Sequence, residues 1–137
     1  MNTNYKLKSI INKGLLSVYG PLATFVVACS LTTYWITKYS LELDKADFIT
    51  AIVTITSVMI GWIWWSYKIV KWKCWAFSQL TVDESYELYL KAIGVGLIWP
   101  TGSVFNKTEI WTKEDKYNWT KLKPEIQEIF EPEKKTE

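Results

Sequence analysis

Few side chains in this sequence could support catalysis or metal binding. Histidine and arginine are both absent, because all sixteen basic residues are lysines. A Ser–His–Asp or Cys–His catalytic set therefore cannot form, and neither can the usual mixed His/Cys zinc site. Cys29 and Cys74 are far apart and form no CxxC pair, so we interpret both as reduced thiols. We expect no metal site and no cofactor.

Carboxylates occur as two adjacent pairs, Asp83-Glu84 and Glu114-Asp115. Each pair begins two residues after a threonine, which is a pattern typical of a helix start. Acidic residues in the first turn of a helix are stabilised by the helix dipole. We therefore interpret these pairs as helix-start charges and not as a general acid and base. The sequence predicts that the protein is not an enzyme.

A third group of side chains lies between residues 99 and 113 and combines flat aromatic faces with polar and cationic donors. Cations and hydrogen-bond donors suit phosphate groups, and aromatic faces suit stacked bases. The alternative interpretation is an aromatic pair in a core with lysines in solvent. The candidate ligand-binding residues are Trp99, Asn106, Lys107, Thr108, Trp111 and Lys113.

Two long uncharged runs dominate the first half of the chain, at residues 15–37 and 48–67. As helices they would extend about 34 and 30 Å, enough to cross a hydrocarbon core of about 30 Å. The second run ends in a Trp-rich segment followed by lysines, as at a membrane interface. A cleavable signal peptide is the alternative for the first run, but that run is too long and lacks a small-residue cleavage site. We predict two transmembrane helices.

The distribution of lysine predicts the orientation of these helices. Three lysines precede the first run and three closely follow the second, whereas the loop 38–47 holds two lysines diluted by three acids. By the positive-inside rule both termini are cytoplasmic. We therefore expect a cytoplasmic segment 1–14, an external loop 38–47 and a cytosolic C-terminal domain 68–137.

Small and hydroxyl side chains form a stripe along the second predicted helix. Thr50, Thr54, Ser57 and Gly61 recur at steps of four, three and four, which places them on one helix face. Membrane helices approach closely at such faces. The stripe is either the packing contact of the helical hairpin, a contact with a neighbouring subunit, or the lining of a pore in a homo-oligomer.

The C-terminal half is predicted to be a small α+β domain, although a strand at 117–121 competes with one of its helices. Thr81 and Glu84 form a capping-box pattern that opens a helix ending at Gly94. Segments 95–99 and 103–111 flank Pro100-Thr101-Gly102 as a predicted β-hairpin. Helices are predicted at 113–122, opened by Thr112, and from Pro124 to Phe130, with a solvated tail at 131–137. The predicted fold class is thus a membrane protein, α-helical, with a two-transmembrane helical hairpin followed by a small α+β cytosolic domain.

This layout of the whole chain resembles the small two-span membrane effectors of type III CRISPR antiphage defence. The resemblance implies a homo-oligomer, with a tetramer favoured, in the bacterial inner membrane. It also implies that a cyclic oligoadenylate such as cyclic tetra-adenylate binds between cytosolic domains, so that the oligomerised membrane helices perturb or permeabilise the bilayer. The six residues between 99 and 113 would contact this cyclic oligonucleotide, and no DNA or RNA duplex is expected as a partner.

A different class of function is also open. A small accessory or immunity membrane protein would use the same two helices to dock on a larger membrane partner, with the aromatic cytosolic face as a protein contact.

Overall fold

The computed structural model describes residues 3–40 and 46–130. Residues 41–45, from the predicted external loop, and the predicted tail 131–137 lie outside the described residues. The described part of the chain is helical and contains no strand. In chain order its elements are α1 (Thr3–Trp35), a π-helical turn (Ile36–Ser40), α2 (Ala46–Phe77), α3 (Val82–Gly94), a 3₁₀ helix (Val104–Thr108), α4 (Lys113–Thr120) and α5 (Pro124–Glu128).

The prediction of an α+β domain is wrong, and the end of α3 explains the first half of the error. Gly96 adopts a φ of 70°, a left-handed conformation that glycine accepts without strain. Its N–H donates to the carbonyl of Ile93 at 2.9 Å, and the Leu97 N–H donates to the carbonyl of Ala92 at 2.9 Å. This is a Schellman closure of the helix. Leu97 and Ile98 are both buried, at 0% and 2% exposure, so the alternation of a strand is absent.

The second half of the predicted hairpin forms a turn and a 3₁₀ helix. Gly102 has a φ of 84°, and the Ser103 N–H donates to the carbonyl of Pro100 at 3.1 Å, which together define a type II turn. The Ser103 hydroxyl then accepts from the N–H of Phe105, and the Thr108 hydroxyl donates to the carbonyl of Phe105. These local side-chain bonds compete with strand pairing and explain why no sheet forms here.

The predicted helix starts in this half are confirmed. Thr81 and Glu84 exchange side-chain and backbone hydrogen bonds in a capping box, and Thr112 and Asp115 do the same at the start of α4. Pro124 opens α5, where its missing N–H costs nothing. The competing strand at 117–121 is wrong, because α4 continues to Thr120.

The chain divides into two compact units, which we call the apolar unit (Leu16–Trp65) and the polar unit (Met1–Leu15 with Ser66–Glu137). The apolar unit holds most of the two helices that are long and apolar enough to cross a membrane. In their most apolar windows only 11% and 17% of the residues are buried, whereas a core helix of a soluble protein would be mostly buried. The apolar surface of these helices is therefore left for lipid or another apolar partner.

The polar unit includes an N-terminal arm, residues 3–15, that was predicted only as a cytoplasmic segment. Leu7, Ile10, Ile11 and Gly14 are buried and follow the spacing of one helix face. Trp72 packs on this face, and its indole N–H donates to the carbonyl of Ile10 at 3.3 Å. The arm is therefore part of the core of this unit.

Polar contacts also hold the arm. The Lys6 ammonium lies 3.1 Å from Glu84 Oε2, and the Lys91 ammonium donates to Asn4 Oδ1 at 2.8 Å. The pKa of the Glu84 carboxyl is lowered from its ordinary value, first because the Thr81 N–H donates to it and then because Lys6 donates to it. The carboxylate form of Glu84 thus supports both the start of α3 and the position of the arm.

Candidate functional site

The six candidate ligand-binding residues are divided by the structure. Trp99 stacks on Phe105 with ring centroids 4.5 Å apart. Lys107 and Thr108, which follow Phe105 in the 3₁₀ helix, are exposed. Lys113 is exposed at the start of α4. The remaining two candidates, Asn106 and Trp111, line one cavity.

This cavity, which we call the aromatic cavity, has a volume of about 220 Å³. Parts of the chain that are far apart in sequence build it: α2, the 3₁₀ helix, the segment after it, α4 and the residues after α5. Its three rings meet edge to face, with Trp119 5.5 Å from Trp111 and 5.2 Å from Phe130 between centroids. Such pairs add to the stability gained from burial. The lining residues are Lys73, Asn106, Glu109, Trp111, Trp119 and Phe130.

A buried ion pair forms one wall of the aromatic cavity. Lys73 and Glu109 are bonded to each other, and each side chain is only 4% exposed. The Lys73 ammonium also lies 5.2 Å from the ring centroid of Phe130, within range of a cation–π contact. Next to the pair, the Ile110 N–H donates to the carbonyl of Ser66 at 3.0 Å. The segment after the 3₁₀ helix is thereby fixed against α2.

Asn106, which lines this cavity, also has a buried side-chain oxygen without a hydrogen-bond partner among the described residues. Its amide nitrogen donates to the carbonyl of Pro100 at 2.9 Å, and a carbonyl can only accept, so this bond fixes the orientation of the amide. The Oδ1 atom is buried and accepts no hydrogen bond from any described residue. An unpaired buried acceptor costs about 1–3 kcal/mol. A ligand that carries an N–H donor would remove this cost.

The sequence reasoning missed four residues of the cavity: Lys73, Glu109, Trp119 and Phe130. Lys73 was interpreted as a lysine at the membrane edge. A signal was nevertheless present, because Lys73 lies four residues from both Ile69 and Phe77, which puts it on the buried face of α2. No comparable periodic signal marks Glu109.

The stripe on α2 lies within the apolar unit. Thr54 and Ser30 of α1 share a hydrogen bond of 2.8 Å, and a Cβ added at Gly61 would lie 3.0 Å from the side chain of Leu22. Ser57 is buried at 4% exposure, and Thr50 is half-buried. Thr54 and Gly61 therefore contact α1, as a packed hairpin requires, and the lining of a pore stays a prediction.

No site for a metal ion is evident in the part of the chain that the structure describes, where no three His, Cys, Asp or Glu side chains come together. Compared with known proteins, the chain matches no family model, no curated protein and no solved structure. Its function must therefore be inferred from its own residues.

Proposed function

We propose that the protein is a ligand-responsive membrane effector, in which the aromatic cavity binds one base of a cyclic oligoadenylate and the apolar unit acts on the bilayer. The observation that carries the proposal is a cavity walled by three aromatic rings and lined by Asn106, whose Oδ1 is buried and unpaired among the described residues. An adenine has an exocyclic amino group that would donate to this oxygen. Its flat faces would stack on indole or phenyl rings.

The size of the cavity limits the ligand. At about 220 Å³ it is smaller than the roughly 300–1,000 Å³ typical of sites for drug-sized molecules. It suits a single base and excludes a whole cyclic oligonucleotide. A cyclic tetra-adenylate would therefore place one base in each of several copies of the chain, which agrees with a homo-oligomer in which a tetramer is favoured.

Contacts in the polar unit support the placement of both terminal parts of the chain on the same side of the bilayer. Asn4 and Lys6, which precede the apolar part of α1, bond to Lys91 and Glu84, which follow α2. Segments that pack together in one unit lie on one side of a bilayer. The excess of lysine in these segments supports the cytoplasmic side, here of a bacterial inner membrane.

The ion pair offers a route from ligand to membrane. Lys73 belongs to α2, the same helix that carries the whole of the second apolar run. A base that enters the aromatic cavity would contact the Lys73–Glu109 pair. It would thereby contact a side chain of this helix directly. The ligand can change the membrane state only if it binds one assembly state better than another.

The test uses the full-length chain in nanodiscs and measures binding by calorimetry. Cyclic tri-, tetra- and hexa-adenylate are the ligands, and a cyclic oligouridylate, which lacks an exocyclic amino group, is the control. Trp111→Ala should weaken binding by about 1–3 kcal/mol if a base stacks there, and Asn106→Leu should weaken it by removing the acceptor. Tyr86→Ala is the matched control, since Tyr86 is an aromatic residue of α3 that is 57% exposed.

Exposed lysines would contact the phosphates of the same ligand. Lys107→Ala and Lys113→Ala should weaken binding in a salt-dependent way. Expression of the native chain with the ligand should depolarise cells, and the Asn106→Leu variant should not. The absence of heat with every ring, together with the absence of depolarisation, would contradict the proposal.

A specific observation favours the second candidate, an accessory membrane protein. Val104, Tyr117 and Leu90 of the polar unit are 71%, 61% and 52% exposed, and such side chains can serve as a protein contact. Purification in mild detergent separates the two candidates. A stable homo-oligomer supports the effector, whereas a monomer that co-purifies with a larger membrane protein supports the accessory function.

A further inference from the structure

The polar unit contains a second concave site that the proposed function does not use. It is a cleft of about 600 Å³ formed by the end of α2, by α4 and by the start of α5. Buried apolar side chains, Phe77 and Ile126 among them, line its floor. Its rim carries three lysines, so we call it the lysine cleft: Lys71, Lys121 and Lys123.

None of these three lysines has a carboxylate within salt-bridge distance in the described ranges 3–40 and 46–130. The Lys71 ammonium lies 4.7 Å from the ring centroid of Tyr67, and the Lys121 ammonium lies 4.1 Å from that of Tyr117. Ring faces thus lie beside two of these ammonium groups, and the nearby carboxylates Glu114 and Asp115 act on Lys71 without forming an ion pair with it in the described ranges. All three side chains are exposed and can reach an anion in the cleft.

Other charges around the cleft leave it positive. Lys13 does not line the cleft, but its ammonium lies 4.2 Å from the ring centroid of Trp75, a lining residue. The carboxylates in the lining are Glu114 and Asp115. Asp115 is buried at 4% exposure and is occupied by the N–H and hydroxyl of Thr112. Among the lining residues, three lysines against two carboxylates leave a net positive charge, and only the Glu114 carboxylate is exposed to a ligand.

We infer that the lysine cleft binds a phosphate group, either in the headgroup of an anionic lipid or in a free phosphate or pyrophosphate. Several separate ammonium groups match an anion with several oxygens, and lysine binds phosphate as a point charge without the fixed geometry of arginine. The Asn118 side chain, which also lines the cleft, supplies a neutral hydrogen-bond donor. The inference does not depend on the aromatic cavity, which shares no residue with this cleft.

The position of Lys71 on α2 favours the lipid as the source of the phosphate. Lys71 follows Tyr67, where the second apolar run ends, by four residues, or about 6 Å along the helix. The headgroup layer on each side of a bilayer is about 5–7 Å thick. When residues 48–67 cross the membrane, Lys71 therefore lies at the depth of lipid phosphates. Basic sites at this depth bind anionic headgroups.

The experiment uses the full-length chain in a neutral detergent. Phosphatidylglycerol and phosphatidylcholine are added in equal amounts, and native mass spectrometry measures the lipid that is retained. A parallel titration with pyrophosphate is followed by calorimetry. The test variant is the double substitution Lys121→Gln with Lys123→Gln, and the control is Lys116→Gln, an exposed lysine of α4 that does not line the cleft.

The native chain should retain phosphatidylglycerol in preference to phosphatidylcholine. The double variant should lose about 25-fold in affinity, at about fivefold for each lysine near the membrane surface, and the control should change by less than about twofold. Glu114→Gln should bind more tightly, a gain that misfolding cannot produce. Binding of pyrophosphate that displaces the lipid would assign the site to free phosphate, still within the inference. Equal loss in Lys116→Gln, or no binding of either probe, would overturn it.

Discussion

Replacing Gly14 by alanine should destabilise the polar unit, although alanine is the better helix former. Gly14 lies in the middle of α1, and the indole of Trp72 packs directly against its backbone. A Cβ at this position would lie 2.5 Å from Trp72 Nε1 and 2.7 Å from Leu97 Cδ2. Favourable contacts between carbon atoms occur at about 3.5–4.0 Å, so the new methyl group overlaps both neighbours.

The size of the effect follows from three contributions. Overpacking of a rigid core costs about 1–3 kcal/mol. Trp72 is 4% exposed, so it can move only by giving up its bond to the Ile10 carbonyl, worth about 1 kcal/mol. The higher helix propensity of alanine offsets about 1 kcal/mol. We expect a net loss of about 1–3 kcal/mol in the free energy of unfolding.

Thermal unfolding of the full chain in detergent, followed by tryptophan fluorescence, measures this loss. The midpoint Tm should fall by at least about 4 °C. Gly94→Ala is the matched control, because a Cβ at Gly94 meets nothing within 4 Å, and its Tm should stay the same or rise. If Gly14→Ala is as stable as Gly94→Ala, the packing of Trp72 on the arm is refuted.

Three further predictions concern other parts of the chain. Lys73→Ala should lower the free energy of unfolding by about 3–5 kcal/mol, because it leaves Glu109 buried and unpaired. Chemical denaturation measures this loss. If the double variant Lys73→Met with Glu109→Leu is no more stable than Lys73→Ala, the prediction is contradicted. Because the folded-state pKa of Glu84 is lowered, the contribution of its carboxylate to stability is complete at neutral pH and is lost as the pH falls below about 4. Glu84→Gln should therefore reduce the fall in stability on the acidic side of a pH–stability curve. An unchanged fall would contradict the role of this carboxylate. Gly61→Leu should disturb the contact of α2 with α1 far more than Ile60→Leu, measured by disulfide cross-linking of paired cysteines in the two helices, and equal cross-linking would count against that contact.

The starts of α3, α4 and α5 could be predicted because they depend on short-range sequence signals, whereas the ends predicted at residues 122 and 130 lie two residues beyond the observed ends of α4 and α5. A threonine followed three residues later by an acid marks the starts at Thr81 and Thr112, and Pro124 marks a third. α2 ends after Phe77, where the polar residues Ser78 and Gln79 follow in the sequence. Each of these signals lies within four residues of sequence.

The β-hairpin was predicted wrongly because the same local signals allow two structures. The apolar run 95–99 fits a buried strand, and it also fits the closure of a helix by Gly96. Tertiary burial of Leu97 and Ile98 decides in favour of the second. The pairing of Lys73 with Glu109, across 36 residues, has no local signal, so the aromatic cavity could not be assembled from one sequence. Only Asn106 and Trp111 were identified in advance.

The contacts of the N-terminal arm set an order of events during synthesis. The arm leaves the ribosome before the rest of the polar unit. Its Lys6 can pair with Glu84 only after a further 78 residues have been synthesised. At a synthesis rate of about 5–20 residues per second this delay is about 4–16 s, and the proposed membrane function requires that both apolar runs are inserted during it. A chain with one run left outside the bilayer would hold the arm and its partners on opposite sides. Closure of the polar unit would thus report correct insertion, and a misinserted chain would expose Leu7, Ile10 and Ile11 to chaperones and proteases.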